Sequence, residues 1–197
     1  MNRRERKKEE TKGNIIRSAV TLFREKGFQE TSMEEISEKA DISKGTLYNY
    51  FQDKESILIA HFQSSIINHG SEFKASIKNI PGIEKRLNYL LDFASQILEN
   101  NKDLATIYLR FRMQSFMDSN PFDNPQRSGL ENLVFEVMKE AQENKEIKDD
   151  IPALILARSF HFLIRSYLIS NIYPQEQLDI KILKEQLIGL FLNGAKI

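Results

Sequence analysis

Apolar residues recur at three- and four-residue spacing along nearly the whole chain, and no stretch alternates apolar with polar. That period predicts helices throughout and no strand. Ile16, Ala19, Val20 and Phe23 form the stripe of a first helix over about residues 9–26. Gly27 then reads as a left-handed cap, with Phe28 folding back towards Phe23. Ser32, with Glu35 three residues on, makes a capping box that opens a second helix whose buried face holds Ile36 and Ala40. Asp41-Ile42-Ser43 breaks that helix, and Ser43 can cap a third. Asp53 can cap a long fourth helix to about residue 78, carrying Ile57, Leu58, Phe62, Ile66, Ile67 and Phe73. Pro81-Gly82 ends it and opens a fifth, with Leu87, Leu90, Leu91, Ala94, Ile97 and Leu98. Asn100-Asn101 marks a break before a sixth helix from about residue 103, with Leu104, Ile107, Tyr108 and Phe111. Residues 118–129 read as a loop. A seventh helix follows with Leu130, Leu133, Val134, Val137 and Ala141, then a charged connection over 143–150. An eighth spans about 152–171 and a ninth about 177–195. The predicted class is all-α, with about nine helices.

The third helix is unusual in where it spends its large residues. On a wheel of about 100° per residue, Leu47 and Phe51 share one side. Thr46, Asn49 and Tyr50 lie on the other, flanked by Lys44 and Tyr48. A buried back with a front of hydroxyls, an amide and phenols suits a helix in the major groove of DNA. Thr46 and Asn49 are the candidates for base contacts. Asn can pair with adenine through two hydrogen bonds, and a Thr methyl can meet a thymine methyl. Tyr50 could stack along the sugar-phosphate wall, and Tyr48 could donate to a phosphate. Lys44 and Lys54 would place charge near phosphates, and Gly45 would permit close approach of the backbone at the Ser43-capped end. Ser32 and Met33 would lie beside the DNA backbone.

The eighth helix is apolar on two faces. Leu156, Phe160, Leu163 and Tyr167 form one; Ile151, Leu154, Ile155, Arg158, Phe162, Arg165 and Ile169 form the other. Two apolar faces need two covers. One is the rest of the chain. The other could be a second subunit over Ile155 and Phe162, with Arg158 and Arg165 at the rim, or the helix could be central to a monomer core.

Composition narrows the classes. The chain has 197 residues, no cysteine, and a formal net charge of +0. Disulfides and zinc-thiolate sites are excluded, and a generic polyanion binder is disfavoured. No apolar run reads as long enough to span a membrane, and the first residues lack a signal peptide's apolar region. Residues 1–17 nonetheless carry seven Lys/Arg against three Glu. The plainer reading of that run is a solvated terminus; the functional one is an arm near phosphates.

Residues 9–56 resemble the DNA-binding domain of the TetR/AcrR family of bacterial transcriptional regulators. Ala19, Phe23, Gly27 and Phe28 carry the likeness, with Thr31-Ser32-Met33, Ile36, Ala40, residues 43–51 (SKGTLYNYF) and Lys54. Tyr50 stands where many members have His. The resemblance implies a three-helix head with a helix-turn-helix over residues 1–54, and a helical body for ligand binding and dimerisation over 55–197. It also implies that the last two helices pair across a homodimer, and that an effector pocket lies among helices 4 to 8. Phe62, Phe93, Tyr108, Phe111, Arg112 and Phe160 are the candidate lining, although aromatics there are more often plain core. Such a lining would take a largely apolar small molecule, with Arg112 available to an anionic group.

His61, His69 and His161 lack the spacing of a metal site on one helix, and neither a nucleophile–base set nor a Gly-rich phosphate loop is present. No cofactor or catalysis is expected. The chain therefore reads as a cytoplasmic, homodimeric, ligand-responsive regulator, a repressor released from an inverted-repeat double-stranded operator. Its rivals are an activator or architectural DNA-binding protein without an effector, and a helical enzyme or lipid carrier whose helix-turn-helix is only structural.

Overall fold

A computed structural model describes residues 2–118, 129–174, 176 and 178–195; within it, side chains from 115 to 118 and that of residue 195 are not described. The described residues form α1 (Arg3–Lys26), α2 (Met33–Lys39), α3 (Lys44–Tyr50), α4 (Lys54–Ile77), α5 (Ile83–Glu99), α6 (Lys102–Asp118), α7 (Leu130–Glu143), α8 (Ala153–Ile172) and α9 (Ile180–Ala195), with no strand among them. Most of the loop read over 118–129, including Phe122, lies outside the described residues.

Local chemistry sets most boundaries. Asp53 Oδ1 accepts from the Ser56 N–H at 2.7 Å and opens α4. Pro152 precedes α8, where its missing N–H costs nothing. Asp179 Oδ1 accepts from the Lys181 N–H at 2.8 Å, so α9 starts three residues later than the apolar pattern predicts. The largest departure is α1. It begins at Arg3, six residues before the start read at about residue 9, because Asn2 and Glu5 form their own capping box. Good helix formers and the Arg6–Glu10 pair carry that solvated start. Gly27 is also not the left-handed cap expected: its φ of 93° comes with an extended ψ of 151°, a region essentially restricted to glycine. Phe28 still folds back, its ring 4.8 Å from that of Phe23.

The chain divides into two compact units. The first comprises residues 1–64 and 103–126, so that α6 packs with the head. Its core holds Ile15, Ala19, Phe23, Phe28, Ile36, Leu47, Ile57, Leu58, Phe62 and Leu104, all buried. Phe28 also meets Phe111 of α6 at 5.5 Å, and Phe62 stacks on Tyr108 at 4.0 Å. Arg24 pairs with Asp103 at 2.9 Å.

The second unit comprises residues 65–102 and 127–197. Phe73 packs on Tyr89 and Phe93, and Phe160 of α8 meets Phe191 of α9 edge-on. Arg86, 4% exposed, is held by Glu140 at 3.3 Å and Glu146 at 2.5 Å. Gln142 donates to the carbonyls of Lys148 and Ile151, which ties down the charged connection after α7. By length and composition α8 could cross a membrane, which corrects the expectation that no apolar run is long enough. The cause is its double face. Leu156, Phe160, Ile164 and Tyr167 are buried within the unit, while Leu154, Ile155 and Phe162 stay exposed.

Candidate nucleic-acid interface

The turn that presents α3 is built from side chains that satisfy helix ends. Ser32 Oγ accepts from the Glu35 N–H at 3.2 Å, and Glu35 returns the bond to the Ser32 N–H at 2.8 Å. Lys26 also donates to Glu35. That ammonium, with the two Ser32 donors, lowers the Glu35 pKa to about 2, so the box is ionised near neutrality. At the other end of α2, Asn14 of α1 donates to the Ala40 carbonyl at 2.9 Å and Ser18 to that of Lys39 at 3.4 Å. These bonds fix α2 to α1. Asp41 then takes φ 53°, a left-handed conformation that Asp tolerates better than most residues, and the chain reverses. Ser43 Oγ accepts from the Thr46 N–H at 3.1 Å and starts α3. Leu47 and Phe51, 0% and 6% exposed, anchor the helix as expected.

The front of α3 is open. Tyr48 is half exposed, Asn49 is exposed, and Thr46 and Tyr50 are partly so. The Thr46 hydroxyl already lies 2.8 Å from Ser43 Oγ, which leaves its methyl as the main feature for a base edge. A Cβ on Gly45 would meet nothing closer than Ser43 Oγ at 4.0 Å. The chain itself therefore does not require glycine there, whereas close approach of an outside group would. Lys44 pairs with Glu34 at 3.2 Å, both exposed, a contact weak enough to yield to a phosphate. The Glu34 carboxyl is held low first by a backbone N–H and then by Lys44.

Two clefts flank α3. One, of about 750 Å³, is lined by Arg4, Lys7, Lys8 and Thr11 of α1 together with Thr46 and Tyr50. The other, of about 440 Å³, is lined by Lys12, Tyr48, Asn49, Tyr50 and the first turns of α4. Tyr50 is common to both. The functional reading of the basic run in residues 1–17 is an arm near phosphates; in the structure its cations at 4, 7, 8 and 12 belong to α1 and line these two clefts.

Other expected residues have different surroundings. Ser32 is committed to its cap, and Met33 is partly buried. The Lys54 ammonium donates to the carbonyls of Phe28 at 2.8 Å, Gln29 at 2.9 Å and Thr31 at 3.1 Å, and sits 4.9 Å from the centre of the Phe28 ring. Its three donors are used on the turn before α2, so the geometry argues against a direct phosphate contact.

Of the pocket candidates, Phe62, Tyr108, Phe111 and Arg112 belong to the first unit, where Phe62 and Tyr108 are buried against each other. Phe93 and Phe160 belong to the second. Phe93 lines a cleft of about 180 Å³ with Phe73, Tyr89 and His69, while Phe160 is fully buried. Ile155 and Phe162 are both 46% exposed on α8, with Arg165 5.7 Å from the Phe162 ring. No group of three metal-ligating side chains occurs among the described residues.

A short helix held by its back and presented by a capped, cross-braced turn defines a helix-turn-helix DNA-binding protein. Residues 15–61 match the family described as bacterial regulatory proteins, tetR family. The fatty acid metabolism regulator protein of Bacillus subtilis is 22% identical over 180 residues, covering 91% of this chain and 93% of that protein. Among solved structures, Thermus thermophilus FadR, a TetR-family repressor in complex with lauroyl-CoA, superposes with a TM-score of 0.75 at 22% identity, over 93% of this chain and 94% of its own. Bacillus subtilis FadR in complex with stearoyl-CoA gives 0.68 at 21%, over 92% and 97%. Residues 15–61 thus carry the DNA-binding domain of the TetR family of bacterial regulatory proteins. The chain is a DNA-binding transcriptional regulator with an all-helical fold.

Proposed function

We propose that the chain is a cytoplasmic homodimeric repressor that leaves an inverted-repeat operator when an acyl-CoA binds its body, and that it catalyses no reaction. The polar, uncovered front of α3 carries the DNA half of this reading. Residues 1–54 would supply the DNA-binding part, and 55–197 the effector and dimer parts. The exposed Ile155–Phe162 face of α8, with Arg158 and Arg165, is the proposed contact between subunits; Leu154 and Leu190 add apolar area, 44% and 69% exposed. A two-fold dimer presents α3 twice, so the operator must be an inverted repeat with half-sites about one helical turn apart or a multiple of it.

The effector class is supported by the acyl-CoA complexes of two proteins that share this fold over more than nine-tenths of the chain. In the first unit, Phe62, Tyr108 and Phe111 are suited to an acyl chain, and Arg112 to the anionic end of such a ligand. Within the first unit, Phe111 of α6 rests on Phe28, and Lys54 grips the Phe28 carbonyl. Displacement of α6 by a ligand would therefore reach the turn that sets α2 and α3. The coupling is a free energy shared by two sites. Lauroyl-CoA or stearoyl-CoA should lower the affinity for a selected operator by about 5–150-fold, measured by fluorescence anisotropy. Affinity for a random duplex should change little, since that binding does not need both heads in register. Unchanged operator affinity with both thioesters would remove acyl-CoA as the effector and favour the ligand-free regulator.

A further inference from the structure

We propose that the first three turns of α1 form a second DNA-contacting element, a basic helical wall that holds the sugar-phosphate strand beside the groove occupied by α3. The proposal rests on the placement of α3 in the major groove and extends the interface to residues outside the helix-turn-helix.

Residues 3–12 are helical and almost entirely exposed, so no packing demand explains their composition. Their charges are nevertheless sorted. At about 100° per residue, Arg4, Lys7, Lys8 and Lys12 fall within an arc of about 140°, while Glu9 and Glu10 lie outside it. Glu5 stands at the edge of the arc and is bound to the Asn2 N–H in the capping box. Arg6 lies opposite the arc and pairs with Glu10 at 3.4 Å. A run kept only for solubility has no reason to separate its signs in this way. The cationic arc is also the side that faces α3: Arg4, Lys7 and Lys8 line one cleft with Thr46 and Tyr50, and Lys12 lines the other with Asn49 and Tyr50. Among the described residues, Arg4, Lys7 and Lys8 make no ion pair. Three uncommitted cations and two groove-facing side chains thus bound one open cleft, against the single carboxylate of Glu5, which is engaged in the capping box. The occupant that matches them is a polyanionic strand, and the nearest one is the backbone of the duplex that α3 enters. This also accounts for a chain of zero net charge binding DNA: its cations are concentrated where the phosphates run.

The test compares two matched double variants of the full-length protein. Each removes the same charge from the same helix, and glutamine preserves helix propensity. Arg4→Gln with Lys7→Gln should make the slope of log affinity against log salt shallower by about 2 per head, for operator and random duplex alike, and should leave the preferred sequence unchanged. Arg3→Gln with Arg6→Gln, on the far side, should leave the slope as in the parent. Deletion of residues 2–8, which removes Arg4, Lys7 and Lys8 together, should make the slope shallower by about 3 per head. An unchanged slope in the first double variant, with sequence-selective binding intact, would overturn the proposal alone. Equal shifts in both variants would also overturn it, since net charge would then suffice. A parent protein that selects no DNA sequence would overturn the reading of α3 and this proposal with it.

Discussion

Replacing Lys54 with methionine is expected to unfold the head more readily and abolish tight operator binding, without the signature of a lost phosphate contact. The ammonium satisfies three carbonyls of the 28–31 turn and lies against the Phe28 ring. Methionine keeps the stem and removes all three bonds. Hydrogen bonds to a charged donor contribute about 1.5–3 kcal/mol each, and the released carbonyls regain water only in part, so a loss of about 3 kcal/mol is expected. For a chain of this size that is a fall of about 6–12 °C in Tm. Specific affinity should drop with it, because Phe28 and Thr31 lead directly into the Ser32 cap of α2. The salt slope should stay as in the parent. A true phosphate contact would behave in the opposite way, with stability kept and the slope reduced by about 1 for each copy lost. Arginine should not rescue, since a planar guanidinium cannot aim three donors at one cone of carbonyls. Thermal melts and salt titrations of both variants check this.

Phe162→Glu should separate the subunits. Phe162 stands in the middle of the uncovered face of α8, and a two-fold contact uses it twice. A central aromatic anchor contributes about 2 kcal/mol or more per copy, so the pair accounts for about 4 kcal/mol, roughly a thousandfold in dimer Kd. Sedimentation at micromolar concentration should show monomers with helical content retained. Operator binding should be lost, because one head alone gives only a half-site. A variant that sediments as a dimer would place the contact elsewhere.

The parts of this structure legible in the sequence are those decided within a few residues. Ser32 with Glu35, Ser43 with Thr46, and Asp53 with Ser56 are local caps, and each opens the helix assigned to it. The back of α3 was legible because Leu47 and Phe51 are the large apolar residues of that stretch. What the apolar pattern could not show was decided by polar residues or by distant neighbours. The start of α1 has no apolar stripe, so only Asn2 and Glu5 mark it. Lys54 finds its acceptors 23 to 26 residues away in the chain, where no spacing rule reaches. The contact of Phe111 with Phe28 joins a body helix to the head, although the apolar stripes of α1 and α6 look alike whatever they pack on. Phe62 and Phe160 show the limit for ligand sites. An aromatic lining and an aromatic core have the same sequence pattern, and both residues are fully buried in this structure.

The central claim is that the front of α3 reads the base sequence of an inverted repeat. It is tested most directly by selecting binding sites from random duplex DNA with the parent protein and with Asn49→Ala. The parent should enrich an inverted repeat. The variant should enrich the same repeat with one or two positions per half-site relaxed, at a cost of about 1–3 kcal/mol for each lost bidentate pair. No enriched sequence with the parent, or an identical preference and affinity with Asn49→Ala, would contradict the account.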